Sequence, residues 1–225
     1  MSSSADTYGQ ATRIAAEPAV IPSTSVSVYQ ALYGRRMAWK FKDESVPREA
    51  IERMLDVAVW APNHRLTEPW RFFVLEKESP VRRKVAELAY DFVLEHTNLP
   101  GRAMAARHKV LEPPIVIYVY CAPGPSEEAT RENYAAVCCA AQNISLAGVA
   151  EGLAVTWETG GPTRHPDLKA TLGAEPDWTL VTMLNIGVPA ENLTSRRTPV
   201  SNFIRWFSQD SALGSRFRTP NRMSF

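Results

Sequence analysis

Several patterns that would announce a known chemistry are missing from this chain. No Gly-x-Gly-x-x-Gly follows a predicted strand, which argues against a Rossmann dinucleotide fold or a P-loop. No Gly-x-Ser-x-Gly elbow is present, and the histidines show no His-Glu-x-x-His spacing: His64, His96, His108 and His165. We therefore predict no metal ligands and no catalytic side chain, so that any chemistry must come from an organic cofactor.

Cysteine, excess charge and long apolar runs are also scarce. With 25 basic and 24 acidic residues the net charge is +1, which gives no electrostatic reason to expect nucleic acid or an anionic membrane as partner. No apolar run approaches the roughly 18–20 residues of a membrane span. The first residues lack the pattern of a secretory signal, so we expect a cytoplasmic protein. Cys121, Cys138 and Cys139 do not suggest a disulfide framework.

The composition along the chain indicates one structured domain after a short arm. Residues 1–25 are rich in Ser, Thr, Ala and Pro without periodicity, which predicts a disordered N-terminal arm. Residues 26–225 are predicted to form a single domain with an extended C-terminal segment.

Hydrophobic periodicity predicts helices and strands in mixed order, and hence an α+β sandwich with helices packed on a sheet. Residues 127–151 are predicted to form a long helix that is apolar almost all round from 135 to 150, and this helix is therefore predicted to be buried. Residues 96–112 look basic and irregular, and we expect a recognition surface there. Helices are predicted near 28–34, 47–61, 79–97, 127–151 and 166–172, and strands at 70–75, 114–121, 155–158 and 180–187.

Two arginine pairs are candidates for a phosphate site. Arg35 and Arg36 follow the first helix, and Arg196 and Arg197 follow the turn after the last strand. Arginine has a planar guanidinium that matches phosphate geometry. The alternative is that Arg35 and Arg36 are only a solvated helix end that interacts favourably with the helix dipole.

Two further segments combine flat or aromatic surface with polar groups. The loop between Trp60 and Trp70 carries Asn63 and His64, which fit a cofactor pocket but equally fit ordinary turn chemistry. The run Trp157 to Pro162 contains Gly160 and Gly161, whose backbone N–H groups can approach a planar ring closely. A plain strand followed by a glycine turn is the simpler interpretation of this run.

Taken in order, these motifs resemble the FMN-dependent nitroreductase family. The resemblance runs from about residue 28 to 206 and includes Asn185 to Pro189. It implies a nitroreductase-like sandwich, with a central mixed, mainly antiparallel sheet flanked by helices. It also implies a homodimer with FMN at the subunit interface, NAD(P)H as electron source and hydride transfer through flavin N5.

The resemblance also implies roles for particular residues. Arg35 and Arg36, with Arg196 and Arg197, would hold the FMN phosphate and ribityl chain, and Met37 stands where the family usually has Ser. Trp60, Asn63 and His64 would reach the flavin of the other subunit. Trp157, Glu158 and Thr159 would line the ring, with Gly160 near N5. Trp39, Leu66 and Glu68 depart from the family pattern.

The function expected from this resemblance is reduction of a small electron acceptor, nitroaromatic or quinone-like, with solvent supplying protons. Two alternatives remain open at this point. One is a specialised branch of the same fold, such as flavin fragmentation or reductive dehalogenation. The other is a non-catalytic flavin-binding protein.

Overall fold

The computed structural model describes residues 24–191 and 194–207. The predicted disordered arm, except for its last two residues, and the end of the C-terminal segment lie outside these residues. Six α-helices and four strands occur in the described part. The helices are α1 (Val28–Gly34), α2 (Arg48–Ala58), α3 (Pro80–Thr97), α4 (Pro100–Leu111), α5 (Glu127–Ala150) and α6 (Leu168–Leu172). The strands are β1 (Trp70–Glu76), β2 (Ile115–Cys121), β3 (Ala154–Glu158) and β4 (Thr179–Gly187).

The four strands form one sheet in the order β1-β2-β4-β3, and each neighbouring pair is antiparallel. The predicted α+β class is therefore confirmed, and the described sheet contains only antiparallel pairs. β2 and β4 are the central strands. Every residue of β2 is buried, because helices cover both faces of the sheet, and this explains its unbroken apolar sequence.

Each face of the sheet has its own hydrophobic core. On one face α2 and α5 contribute Ile51, Met54, Val137 and Ile144, which pack against alternate residues of the strands. On the other face α3 and α4 contribute Val85, Ala89 and Val110, which pack against Tyr118 and Met183. The result is a three-layer sandwich of helices, sheet and helices. No helix in the described part of the chain is long and apolar enough to cross a membrane.

The prediction that residues 96–112 are irregular is wrong, because they comprise the end of α3 and the whole of α4. Asn98 ends α3 in the left-handed conformation, and Pro100 occupies the first turn of α4. The buried residues of α4 are Ala103, Ala106 and Val110, which pack beside α3. Since two of these three side chains are alanines, the apolar stripe is narrow and the periodicity is weak.

α5 is buried on one side only, so the prediction of a wholly buried helix is wrong for a single chain. Ala136, Val137, Ala140 and Ile144 are buried, and a Cβ at Gly148 would lie 2.7 Å from Val155 Cγ2. The opposite side exposes several residues to solvent, among them Tyr134, Ala135, Cys139 and Gln142.

One charged residue lies fully inside the fold. The guanidinium of Arg82 donates from Nε to Val110 O at 2.7 Å, and from Nη1 to Pro114 O at 3.1 Å and Leu75 O at 3.3 Å. Its Nη2 donates to Leu111 O at 3.3 Å and to Pro113 O. Burial lowers the pKa of Arg82 to about 10, so the group is still charged at neutral pH. Arg82 thus joins the end of β1, the end of α4 and the start of β2.

We expect Arg82→Met to lower the free energy of unfolding by about 3 kcal/mol or more, because five carbonyl oxygens lose a charged donor. Arg83→Met is the matched control, since Arg83 is exposed and its side chain donates only to Glu78 O at 3.2 Å. Chemical denaturation of both variants measures the difference. A loss no larger than that of Arg83→Met would show that the carbonyl contacts of Arg82 contribute little.

Candidate functional site

The segment that follows Arg36 is fixed to the sheet by backbone hydrogen bonds. Lys42 N donates to Val188 O at 2.9 Å, and Ala190 N donates to Lys40 O at 3.0 Å. Further up the segment, the Thr156 hydroxyl donates to Ala38 O at 2.6 Å and accepts from Ala38 N at 3.0 Å. Because Thr156 is buried in β3, these two bonds place Ala38 and its neighbours beside the middle of that strand.

Arg35 and Arg36 differ in what their side chains contact. Arg36 folds back on α1, where Nη1 donates to Tyr33 O at 2.6 Å and to Arg35 O at 2.8 Å. Its Nε is buried and has no hydrogen-bond partner within the described residues. The half-buried Arg35 side chain forms no hydrogen bond or ion pair with that part of the chain. Arg36 therefore caps the end of α1 through its side chain. Arg35 caps it only through its backbone N–H, which donates to Ala31 O at 2.9 Å.

The second arginine pair is exposed. Arg197 donates from Nη1 to Ser195 Oγ and to Arg196 O. No hydrogen bond or ion pair joins Arg196 or Arg197 to Arg35 or Arg36 in residues 24–191 and 194–207. A phosphate site common to the two pairs remains a prediction.

The end of β3 presents the predicted ring-lining residues in different environments. Trp157 is half-buried against the core on the α5 side, while Thr159 is exposed and its carbonyl accepts from Arg164 Nε at 3.4 Å. Gly160 has open space above it, since a Cβ there would meet only Glu158 Oε2 at 3.8 Å. At Gly161 a Cβ would lie 2.3 Å from Val93 Cγ2, so this glycine allows α3 to pack closely. Of the two glycines, Gly160 is the one that leaves room for a ligand.

Glu158 is buried and paired with a residue of α4. Lys109 Nζ lies 3.0 Å from Oε1 and 3.2 Å from Oε2 of Glu158, whose side chain is 7% exposed. The same ammonium lies 5.1 Å from the centroid of the Trp39 ring, a cation–π distance. Sequence reasoning missed Lys109 because its segment was not recognised as a helix. We call Trp39, Lys109 and Glu158 the ammonium cluster.

The Trp60–Trp70 loop forms a second, separate group. Asn63 organises it internally: Nδ2 donates to Thr67 Oγ1 at 3.0 Å, and Oδ1 accepts from Glu68 N at 2.8 Å. Thr67 also donates to Asn133 Oδ1 at 2.6 Å. His64 Nδ1 lies 2.9 Å from Glu132 Oε2. Asn63 and His64 thus connect the loop to itself and to α5, and Trp60 stands out in solvent with 73% exposure.

This loop holds an unusual backbone. Arg65, Leu66 and Glu68 have φ values of 63°, 49° and 46°, in the left-handed region that favours glycine. Such residues cost of order 1–3 kcal/mol each and occur most often at functional sites. Contacts to α5 hold the loop in this shape.

A cavity of about 960 Å³ lies between the 38–43 segment and α4. Trp39, Lys109 and Asn185 are among its lining residues. Asn185 is buried in β4, and its Oδ1 has no hydrogen-bond partner in the described structure. A buried acceptor without a donor in the wall of a cavity indicates that a further polar group belongs there.

The cysteines and acidic groups show no sign of a nucleophile or metal centre. Burial raises the pKa of Cys121 to about 11, and burial also raises the pKa of Cys138. In the described ranges, no group of three or more His, Cys, Asp or Glu residues is arranged to hold a metal ion.

Comparison with solved structures identifies the fold. A nitroreductase-like family protein from Bacillus cereus superposes with a TM-score of 0.71 and 27% identity, over 83% of this chain and 99% of that chain. A candidate nitroreductase from Desulfovibrio desulfuricans, solved in complex with FMN, gives a TM-score of 0.64 and 26% identity, over 80% and 96% of the two chains. The three-layer sandwich is thus the nitroreductase fold.

Sequence comparison identifies the family to which the chain belongs. The Nitroreductase family profile matches residues 32–188, and the chain belongs to that family. YfhC of Bacillus subtilis (strain 168), named as a candidate NAD(P)H nitroreductase, is 27% identical over 168 residues, which cover 74% of this chain and 87% of YfhC. YdjA of Escherichia coli (strain K12), with the same kind of name, is 26% identical over 166 residues, 71% and 87% of the two chains.

The contact between Thr156 and Ala38 leads to a test of the site's framework. We expect Thr156→Val to lower the free energy of unfolding by about 2–4 kcal/mol, because a buried N–H and a buried C=O of Ala38 both lose their partner. Thr156→Ser keeps the hydroxyl and is expected to retain most of the stability. If thermal and chemical denaturation show equal losses for Val and Ser, the hydroxyl does not hold the segment.

Proposed function

We propose that this chain is an FMN-dependent NAD(P)H oxidoreductase that reduces small electrophiles, nitroaromatic or quinone-like. The observation that carries the proposal is the pair of guanidinium groups at the end of α1. Arg35 is half-buried without a described partner, and Arg36 has a buried Nε without an acceptor. Donors held in this way fit a phosphate group, which supplies acceptor oxygens and compensating charge.

The family relatives support FMN as the group that carries this phosphate. The Desulfovibrio desulfuricans structure contains FMN, and YfhC and YdjA are both named as candidate NAD(P)H nitroreductases. The open space at Gly160 and the unpaired Asn185 Oδ1 are further features that a bound heterocycle with polar edges would use.

Different residues of this chain would bind the phosphate end and the ring of the cofactor. Arg35 and Arg36 would bind the phosphate, with Arg196 and Arg197 closing that end, and Met37 would offer only its backbone or a packing contact. Trp157, Glu158 and Thr159 would line the ring, where Gly160 leaves the backbone accessible. FMN, when bound, supplies hydride transfer through its N5 atom.

The protein's own contribution to the reaction is placement. The exposed side of the Gly160 turn leaves room for a flat molecule, and the indole of Trp39 adds an aromatic surface close by. Nicotinamide and electron acceptor would occupy this place in turn. No side chain needs to act as acid or base, since solvent supplies protons to the product.

We further propose a homodimer in which the Trp60–Trp70 loop serves the other subunit. α1 buries only Ala31 and exposes Val28, Tyr29, Leu32 and Tyr33. Phe203, Ile204 and Phe207 near the C-terminal end are also exposed. This much apolar surface is typical of a face that a partner covers. Trp60, Asn63 and His64 make no described contact with the ammonium cluster of their own chain, which fits a role across the interface.

An anaerobic titration tests the proposed function directly. Purified protein should carry FMN, which is identified after its release by heat. NADH or NADPH should bleach the absorbance of the bound flavin. Addition of a nitroaromatic or a quinone should restore the absorbance. Released FAD, or no uptake of flavin on reconstitution, would refute the cofactor assignment. Bound FMN that neither nicotinamide nucleotide bleaches would instead favour a non-catalytic flavin-binding protein.

The role of Arg35 predicts a specific pattern of FMN affinities. Arg35→Ala removes a charge-assisted contact of about 1.5–3 kcal/mol, so the FMN dissociation constant should rise roughly ten- to a hundredfold. Arg35→Lys should recover only part of the affinity, because lysine lacks the planar fork. Both constants are measured by fluorescence titration of the apoprotein. If Arg35 only serves the helix dipole, FMN affinity stays unchanged, stability falls slightly, and lysine rescues fully.

The dimer makes a separate prediction, measured by light scattering at micromolar concentration. The wild-type protein should have the mass of a dimer. Ala135→Arg should weaken the dimer, because Ala135 lies on the exposed side of α5, the helix that holds the Trp60–Trp70 loop through Glu132 and Asn133. FMN affinity should fall together with the dimer. Ala170→Arg places the same side chain on an exposed alanine of α6 and should leave both unchanged. A monomeric wild-type protein that still binds FMN would contradict the shared site.

A further inference from the structure

The ion pair between Lys109 and Glu158 differs from the other described ion pairs in burial. The Glu158 side chain is 7% exposed, whereas no other partner in a described pair is less than 16% exposed. Exposed pairs contribute little to stability, but a buried carboxylate that loses its partner is strongly unfavourable. Lys109 therefore matters for the state of Glu158 in a way that the surface lysines and arginines do not matter for their partners.

Buried contacts of the neighbouring residue hold the backbone of Lys109 in place. The next residue, Val110, is fully buried, and its carbonyl accepts from Arg82 Nε at 2.7 Å. The end of α4 therefore cannot move freely, and the Lys109 side chain leaves it at a defined place. The ammonium reaches Glu158 and lies 5.1 Å from the centroid of the Trp39 ring.

Glu158 stands directly before the turn that the proposed function assigns to the cofactor ring. Its carbonyl accepts from Thr182 Oγ1 at 3.1 Å, which holds the backbone, and its carboxylate lies on the side of Gly160. An uncompensated negative charge here would disfavour a cofactor that gains electrons. A unit charge about 10 Å away, at an effective dielectric constant of about 20, changes an equilibrium constant roughly tenfold.

We propose that Lys109 is a positioning residue that compensates the charge of Glu158 beside the cofactor and thereby favours the reduced form of the bound flavin. This inference rests on the proposed function. It assigns to α4 a part in setting the reduction potential, through one ammonium that joins Trp39 and Glu158. Lys109 need not contact the cofactor for this effect.

The test compares the FMN dissociation constants of the oxidised and the reduced protein, measured anaerobically for each variant. Lys109→Gln leaves the carboxylate uncompensated, so the ratio of reduced to oxidised dissociation constants should rise about tenfold, equivalent to a potential about 30 mV lower for a two-electron couple. Glu158→Gln leaves the ammonium uncompensated and should shift the ratio in the opposite direction. The double variant should return close to wild type, and Lys109→Arg should retain the wild-type ratio.

Arg107→Gln is the matched control. Arg107 lies on the same helix and also borders the cavity, but its Nε donates to Glu87 Oε1 on α3 at 2.7 Å and makes no described contact with Glu158. Arg107→Gln removes the same charge as Lys109→Gln and should change the ratio of reduced to oxidised dissociation constants less than threefold. Melting temperatures of the apoproteins identify a variant that fails to fold, in which case Glu158→Gln alone decides by the sign of its shift.

Two different results would overturn the inference, and they can be told apart. If wild-type protein takes up no FMN, the proposed function fails and this inference with it. If wild-type protein binds FMN but Lys109→Gln and Arg107→Gln give the same ratio, the proposed function stands and the role of Lys109 is refuted. A shift of the same sign in Lys109→Gln and Glu158→Gln would also refute it.

Discussion

The buried guanidinium of Arg82 is the interaction on which the site's geometry depends. It donates to the carbonyl oxygens of Leu75 in β1, of Val110 near the end of α4, and of Pro113 and Pro114 just before β2. A neutral side chain could fill the same space but would leave these carbonyls unpaired in the core. Because α4 is fixed at this end, Lys109 reaches Glu158 from a constant direction. A residue buried within the fold therefore helps to determine what the end of β3 presents.

The candidate site consists of two groups that one described chain does not bring together. One group comprises the 37–42 segment, the end of β3 and the ammonium cluster. Contacts of Thr156 and Lys109 join its parts. The Trp60–Trp70 loop forms the other and is held by α5 through Glu132 and Asn133. Its left-handed residues are costly for a loop that has only a structural role. If a second subunit places this loop over the first group, the strained backbone of the loop has a functional explanation.

The sequence predicted the elements with strong periodicity and failed where side chains are small or contacts are distant. All four strands and the long helices were predicted close to their observed bounds, because continuous apolar runs and Ser-Pro starts are local signals. α4 was missed because alanines make its buried stripe narrow. The pairing of Thr156 with Ala38 spans 118 positions, and that of Lys109 with Glu158 spans 49, so no local pattern reveals either. The residue types of the site were visible in the sequence, but the contacts that hold them were not.

Neighbouring residues of the same type have separate tasks in this site, and only the structure distinguishes them. The Nη1 atom of Arg36 donates to two backbone carbonyl oxygens at the end of α1, whereas the side chain of Arg35 has no described partner. Gly161 is required by the approach of Val93, whereas Gly160 borders open space. In each pair one residue makes contacts within the fold, whereas the other borders open space or has a side chain without a described partner. A fixed residue beside a free one places the free group accurately, because the backbone between them has little freedom to shift.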